Sequence, residues 1–445
     1  MQLGTSYKQI LSISVPIMLG SAAQNIIVLC DNVFLYHQSK TDFAAVGIVG
    51  VFYLIIASIG YGFSRGGQVL IARRHGEKDY KGVGSFFNAL ISLELVLASI
   101  MFVILQFGSH WIFTQFIEDP IILGKCMEYI IPRSYGVFFS YLGVSLIALY
   151  TGVARTKFII YDTIILTVVN VILNYIFIYG AFGIEPMGIA GAGWASTFSE
   201  VVAFLAFALY MRYDIYTRKY STFKKDNFHR KEMWQVQSVS LPLVLQSILG
   251  LGSWFIFFTL IENLGQRQLE ISNLIRNIYL ILSIPCWGFS AGINTLVSNY
   301  IGQRKRQGVM PIIMKTAMLS LLVTAVVSIP VLAMPEFFLY PLFGGDDMLL
   351  IYETKPYMLV LLAIMLIFSV GAIFMNGLIG TGHTRTALWI QAVFTVGYVI
   401  YANYAIKIAN LGLDWAWATE IFYWTGIGVV VYIYLRSNKW HVARI

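Results

Sequence analysis

Asp31 is an acid set inside a predominantly apolar stretch, residues 10 to 36. An ionisable side chain in a membrane-crossing helix costs several kcal/mol on insertion scales and marks an ion or proton path by default. It lies about five residues from the outer end of its stretch, roughly 8 Å below the outer boundary at ~1.5 Å per residue. If the stretch 158 to 180 runs outward, Asn170 and Asn174 fall roughly 18 and 24 Å from the inner side of a ~30 Å hydrocarbon core. They are four residues apart, so they share a helix face. Ser196 and Thr197, on the following stretch, reach a similar level. A carboxylate, two amides and two hydroxyls at one depth all supply oxygen ligands, and such a set can hold a proton or a sodium ion at Asp31. A hydrogen-bonded polar cluster that only fixes helix packing is the other reading.

Further charges interrupt apolar stretches. Arg65 and Glu94 have side chains long enough to pair, as a structural ion pair or as a gate. Glu200, midway along its stretch, can face a cleft and attract cationic substrates, and Arg276 and Glu420 lie at similar outer depths, where they can pair. Pro16 and Pro242 sit in the first turns of their stretches, where proline is tolerated or bends the helix. The glycines at 60, 62, 66, 67, 288 and 292 allow helices to approach closely.

The elements that must position these residues follow from composition. Of 445 residues, 58% are hydrophobic and 12% charged, and mean hydropathy is +0.73, which excludes a soluble globular fold and leaves no room for a sizeable soluble catalytic domain. Apolar stretches bounded by charge, Gly or Pro predict twelve spans, near 10–36, 43–72, 83–107, 127–152, 158–180, 188–211, 236–261, 268–299, 308–334, 356–381, 386–408 and 414–436. The first is too long for a signal-peptide core and reads as a retained helix. The second and eighth are long, which predicts tilt or overhang. Of the 30 Lys and Arg, 22 fall on alternate loops beginning at the N-terminus, so both termini and the basic loop between the sixth and seventh spans are expected in the cytoplasm. That loop, Tyr213 to Lys231, suits anionic headgroups better than nucleic acid. Cys30, Cys126 and Cys286 are isolated and read as reduced packing residues. The six His form no cluster with them at metal-ligand spacing.

Shifting the chain by 226 positions aligns residues 12–83 with 238–309 without a gap and with 16 identities in 72 positions. Ser14, Pro16, Leu19 and Ser21 meet Ser240, Pro242, Leu245 and Ser247, and Gly62-Phe-Ser64 meets Gly288-Phe-Ser290. A further echo pairs Gly152 to Lys157 with Gly380 to Arg385. Six spans per half is an even number, so the repeat is parallel, a transporter signature. The organisation expected is an all-α membrane protein of two pseudo-symmetric six-helix bundles around a central cleft. Residues 1–211 form a first lobe, 212–235 a basic cytoplasmic connector, and 236–445 a second lobe with a short tail. At the same shift Asp31 falls on Phe257, so the duplication kept the scaffold and not the acid.

Several of these features together resemble the multidrug and toxic compound extrusion family. They are Ser14-Val-Pro16 opening the first span, Asp31 near its end, Ala44-Ala-Val-Gly47, Gly62-Phe-Ser-Arg-Gly66, Ala72 to Gly76, Gly152 to Lys157, and their repeats. The resemblance covers nearly the whole chain and implies export of organic, often cationic, compounds in exchange for protons or sodium ions. It carries the family's first-lobe cation site onto Asp31, Asn170 and Asn174, and bending of the first helix onto Pro16. Some members have an acid where Asn174 stands, and sodium-coupled relatives use acids in spans seven and ten. The corresponding stretches here, Pro242 to Gly250 and Met365 to Gly377, contain none, which favours coupling in the first lobe, by protons. The expectation is then a monomeric multi-pass antiporter of a bacterial inner membrane, with no cofactor, no metal beyond sodium at Asp31, no nucleic-acid partner and no catalytic residues. The alternative within the same superfamily is a lipid-linked oligosaccharide flippase, for which Arg65 and Arg276 are few cations to bind a pyrophosphate.

Overall fold

The computed structural model describes residues 3–223, 229–338, 348–437 and 439–442, without the side chains of a few residues near Asp31, Cys30 among them. Lys224, Lys225 and Arg444, counted above as cytoplasmic charges, lie outside the described residues. All regular structure among the described residues is helical. In hydrocarbon a backbone must satisfy its own polar groups, and a helix does so within one segment.

The first half comprises α1 (Tyr7–Gln38), α2 (Lys40–Gly76), α3 (Tyr80–Val103), α4 (Pro120–Gly152), α5 (Lys157–Tyr179) and α6 (Ile189–Tyr213). The second comprises α7 (Arg230–Glu262), α8 (Gln266–Leu282), α9 (Ile284–Gly302), α10 (Val309–Ala333), α11 (Met358–Gly380), α12 (Thr384–Asn403) and α13 (Leu413–Arg436). Among the described residues nine helices are long and apolar enough to cross a membrane, or ten if α8 and α9 form one span. With α1 and α12, 32 and 20 residues long, the expected twelve are present, close to the expected boundaries. The eighth is not straight: α8 and α9 meet at Ser283 with a 45° bend. Pro285, in the first turn of α9, has no N–H to bond the carbonyl of Ile281, so the hydrogen-bond ladder is interrupted there. At the repeat shift α2 has Ile59 in that place and stays continuous.

Helix starts carry local signals. Asp79 Oδ1 caps α3 by accepting from Gly82 N at 2.8 Å. Asp119 Oδ1 caps α4 by accepting from Ile121 N at 2.8 Å, with Pro120 in the first turn, where its missing N–H costs no hydrogen bond. Gly188 and Gly412 precede α6 and α13 with φ of 55° and 88°, a backbone region that favours glycine.

The chain separates into two compact units, one of Leu19–Val244 and the other of Met1–Met18 with Leu245–Ile445. The two division points are 226 residues apart, the repeat offset, and each lies two residues beyond a proline inside a helix, Pro16 in α1 and Pro242 in α7. In the first unit α4 packs between α2 and α6, and α5 lies on α6. Tyr141 of α4, 1% exposed, donates to the carbonyl of Ile56 at 2.6 Å. In the second, α11 packs on α13, α10 and α9.

The repeat also sets a pair of close contacts. A Cβ on Gly66 would lie 2.1 Å from Ser240 Oγ and 2.6 Å from Ser240 Cα, and one on Gly292 would lie 2.4 Å from Ser14 Oγ. Both glycines meet the serine two positions before a repeat proline. Close approach of this kind drives association where lipid removes the hydrophobic incentive.

Candidate coupling site

Within the first unit, the structure brings together four of the five residues read as a cation site. Asp31 comes from α1, Asn170 and Asn174 from α5, and Ser196 from α6, all buried. They form a closed ring. Asn174 Nδ2 donates to Asp31 Oδ1 and to Asn170 Oδ1 at 3.1 Å. Asn170 Nδ2 donates to Ser196 Oγ at 3.2 Å, and Ser196 Oγ donates to Asp31 Oδ2 at 3.4 Å. The spacing of four puts both amides on one face, so Asn170 accepts from Asn174 and steadies the one amide of α5 that donates to the acid.

Thr197 does not join them. Its Oγ1 donates to the carbonyl of Pro132 on α4 at 2.9 Å. Successive helical residues point about 100° apart, so with Ser196 turned to Asp31 its neighbour faces α4.

Asn174 Oδ1 is buried and has no hydrogen-bond partner among the described residues. An orphaned buried acceptor is costly, and here it sits on the residue that contacts the acid. The site therefore offers unsatisfied oxygen next to a carboxylate held by neutral donors. That set suits a proton, which would make Asp31 a donor, and it suits a small monovalent cation bound by oxygen.

Glu200 forms a bidentate ion pair with Arg133 of α4, with Nη1 to Oε2 at 2.7 Å and Nη2 to Oε1 at 2.6 Å. The guanidinium also lies 4.0 Å over the ring of Tyr53. Gly136 makes the room, since a Cβ there would fall 2.3 Å from Arg133 Nη1 and 2.6 Å from Glu200 Oε2. Sequence reasoning did not single out Arg133. The available signal was a basic residue placed mid-span in 127–152, opposite in sign to Glu200.

The expected ion pair between Arg65 and Glu94 is not among the ion pairs of the described residues. Glu94, 0% exposed, accepts instead from Ser64 Oγ at 2.7 Å, and its Oε2 has no hydrogen-bond partner among the described residues. With Ser64 aimed at Glu94, the adjacent Arg65 points away along the same helix. The suggested contact of Arg276 with Glu420 does not form either. Arg276 stacks 4.9 Å over Phe258, and Glu420 accepts from Trp254, Tyr398 and Trp424. Pro16 lies nine residues into α1, not in its first turns, and removes the N–H that would bond the carbonyl of Ser12. Cys126 and Cys286 are free and buried.

Toward the basic connector, Arg155 pairs with Asp214 at 2.6 Å, and Tyr150 donates to the same carboxylate at 3.1 Å. Burial works against the charged form of Arg155, but its hydrogen bond and charge contact with Asp214 outweigh this and hold the guanidinium above its usual range.

The MatE family model matches residues 16–176 and again 242–404, two segments that begin at the repeat offset. Among curated relatives, the probable multidrug resistance protein NorM of Thermotoga maritima is 23% identical over 438 residues, 97% of this chain and 93% of that protein. Among solved structures, the outward-facing conformation of a multidrug resistance MATE family transporter of the MOP superfamily superposes with a TM-score of 0.90 at 18% identity, covering 98% of this chain and 97% of that one. A MATE structure in complex with MaL6 gives a TM-score of 0.89 at 18% identity, covering 97% and 96%.

Proposed function

This chain belongs to the MatE family, and from that premise we propose that it is a multi-pass membrane antiporter that exports organic, often cationic, compounds by alternating access, driven by protons entering at Asp31. The names of the relatives support multidrug efflux. The observation that carries the coupling site is the ring of Asp31, Asn174, Asn170 and Ser196 with its orphaned Asn174 Oδ1. With Asp31 ionised, Asn174 donates to an acceptor carboxylate. When Asp31 takes a proton it becomes a donor, and turning the Asn174 amide offers Oδ1 as its acceptor. The amide thus changes partners with the protonation state, and the change passes from α5 to α6 through Asn170 and its bond to Ser196. Differential stability of the two arrangements is what allows a bound cation to shift the conformational equilibrium. Pro16, in the same helix as Asp31, weakens one backbone bond there and gives α1 a place to respond.

Arg133 and Glu200 satisfy each other and leave neither charge free for substrate. The test uses purified protein in liposomes with proton and sodium gradients imposed separately. Efflux of a fluorescent organic cation driven by the proton gradient, and lost in Asp31→Asn, is the expected result. Transport driven by sodium alone overturns the choice of ion but keeps the site. Transport driven by neither favours a flippase. The protein is also expected to work as a monomer in a bacterial inner membrane, with both termini cytoplasmic; the distribution of Lys and Arg supports that orientation.

A further inference from the structure

Glu420 lies in α13, 2% exposed. Three donors converge on it. Trp254 Nε1 of α7 and the Tyr398 hydroxyl of α12 donate to Oε1 at 2.8 and 3.0 Å, and Trp424 Nε1 donates to Oε2 at 3.1 Å. No basic side chain among the described residues forms an ion pair with it. On α8, Arg276 stacks on Phe258 and Arg267 holds Glu353. The titratable groups that face Glu420 are Tyr398 of α12, Tyr279 of α8 and Tyr423 of α13 itself. α11 contributes no charged residue. A buried acid with neutral hydrogen-bond donors and no ion-pair partner is the arrangement already found around Asp31.

The repeat shows that the likeness is positional. Asp31 corresponds to Phe257 at the 226 offset. The echo of Gly152–Lys157 in Gly380–Arg385 sets an offset of 228 for α5 and α12, which carries Asn170 onto Tyr398. The positive-φ glycines Gly188 and Gly412 that open α6 and α13 set an offset of 224, which carries Ser196 onto Glu420. The same three helices of each half, its first, fifth and sixth, therefore build both clusters. In the second half the acid sits on the sixth helix instead of the first. Phe257 occupies the place of the first-helix acid and packs edge-on against Trp417 at 5.3 Å and tilted against Tyr398 at 5.8 Å.

We propose that Glu420 is a second proton site, the counterpart in the second half of Asp31, and that it takes up and releases one proton in each transport cycle. This rests on the proton-antiport reading above. The donor set selects the ligand. An indole N–H can donate and cannot ligate, and two of them point at this carboxylate, so a metal ion bound there would face hydrogens where it needs oxygen lone pairs. Oε1 accepts two hydrogen bonds and Oε2 only one, which leaves Oε2 a free position. One O–H bond forms there on uptake and breaks on release, and no other bond changes. Asp31 alone would couple one proton to each substrate molecule, whereas the two acids together couple two.

The test is the accumulation ratio of a fluorescent organic cation in liposomes at zero membrane potential, followed against the imposed pH difference. In Glu420→Gln the slope of the logarithm of that ratio is expected to fall by one proton, a tenfold smaller accumulation for each pH unit. A slope equal to wild type overturns the proposal. A second measurement does not depend on transport or on the folding of that variant. Infrared titration of the wild type and of Tyr398→Phe, which removes one donor from Oε1, should show a protonated-carboxyl band that titrates in both and is shifted in the variant. A band unaffected by Tyr398→Phe, or none that titrates beyond the one removed by Asp31→Asn, overturns it. If the wild type does not respond to a pH gradient, the antiport reading fails, and the infrared titration still decides whether Glu420 exchanges a proton.

Discussion

Replacing Arg133 by methionine tests the bidentate ion pair with Glu200 in the first unit. The substitution keeps an unbranched side chain in α4 but removes two hydrogen bonds of 2.7 and 2.6 Å and the stacking on Tyr53. It leaves the Glu200 carboxylate, 14% exposed, without its cation. Stranding one member of a buried pair costs about 3–5 kcal/mol, while replacing both by apolar groups is often close to neutral. At about 2–4 °C per kcal/mol for a unit of this size, Arg133→Met should lower the apparent melting temperature in detergent by at least about 6 °C. The double variant Arg133→Met with Glu200→Leu should recover most of that loss. The assay is thermal unfolding followed by a dye or by size-exclusion chromatography, with both single variants and the double variant in one cycle. A loss of less than about 1 kcal/mol in Arg133→Met would mean that the pair is worth no more than an exposed one. Simple additivity in the double variant would show that the two charges do not hold each other, and the reasoning would be wrong.

Other outcomes follow from single contacts. Glu94→Gln should stay within about 1 kcal/mol of wild type and keep efflux activity, because the amide oxygen still accepts from Ser64 and no cation pairs with Oε2; abolished efflux would restore a gating role. Gly66→Ala should destabilise the first unit by about 1–3 kcal/mol, and adding Ser240→Gly should not rescue it, since a Cβ would still lie 2.6 Å from the Ser240 Cα; full rescue in a melting assay would refute the backbone contact. Gly67→Ala differs, because its Cβ would meet the Leu90 side chain at 2.6 Å, and Leu90→Val should relieve most of that strain. In a background without native cysteines, Phe182→Cys, 91% exposed between α5 and α6, should react with an impermeant thiol reagent from outside and Ser221→Cys only from inside. The reverse pattern would invert the proposed orientation.

The sequence alone determined the number, lengths and approximate ends of the helices and their division into two like halves. Each follows from runs of side chains that water rejects and from an offset that needs no coordinates. It also determined that Asp31, Asn170, Asn174 and Ser196 lie at one depth, because rise per residue is constant along a helix. Which way a side chain turns about its own axis was settled only by packing. For that reason depth alone groups Thr197 with Ser196, offers Arg65 to Glu94 where Ser64 is the donor, and sets Arg276 against Glu420. The partner of Glu200 was hidden for the same reason, since depth along α4 says nothing of the face on which Arg133 stands. The bend between α8 and α9 had a local cause in Pro285 that the hydropathy of a long apolar run conceals. The largest difference lies in the compact units. The chain suggests two consecutive lobes, but the divisions fall after Met18 and Val244, inside the first helix of each half. Hydropathy registers how long a helix is, and only the tertiary contacts decide which neighbours each part of it keeps.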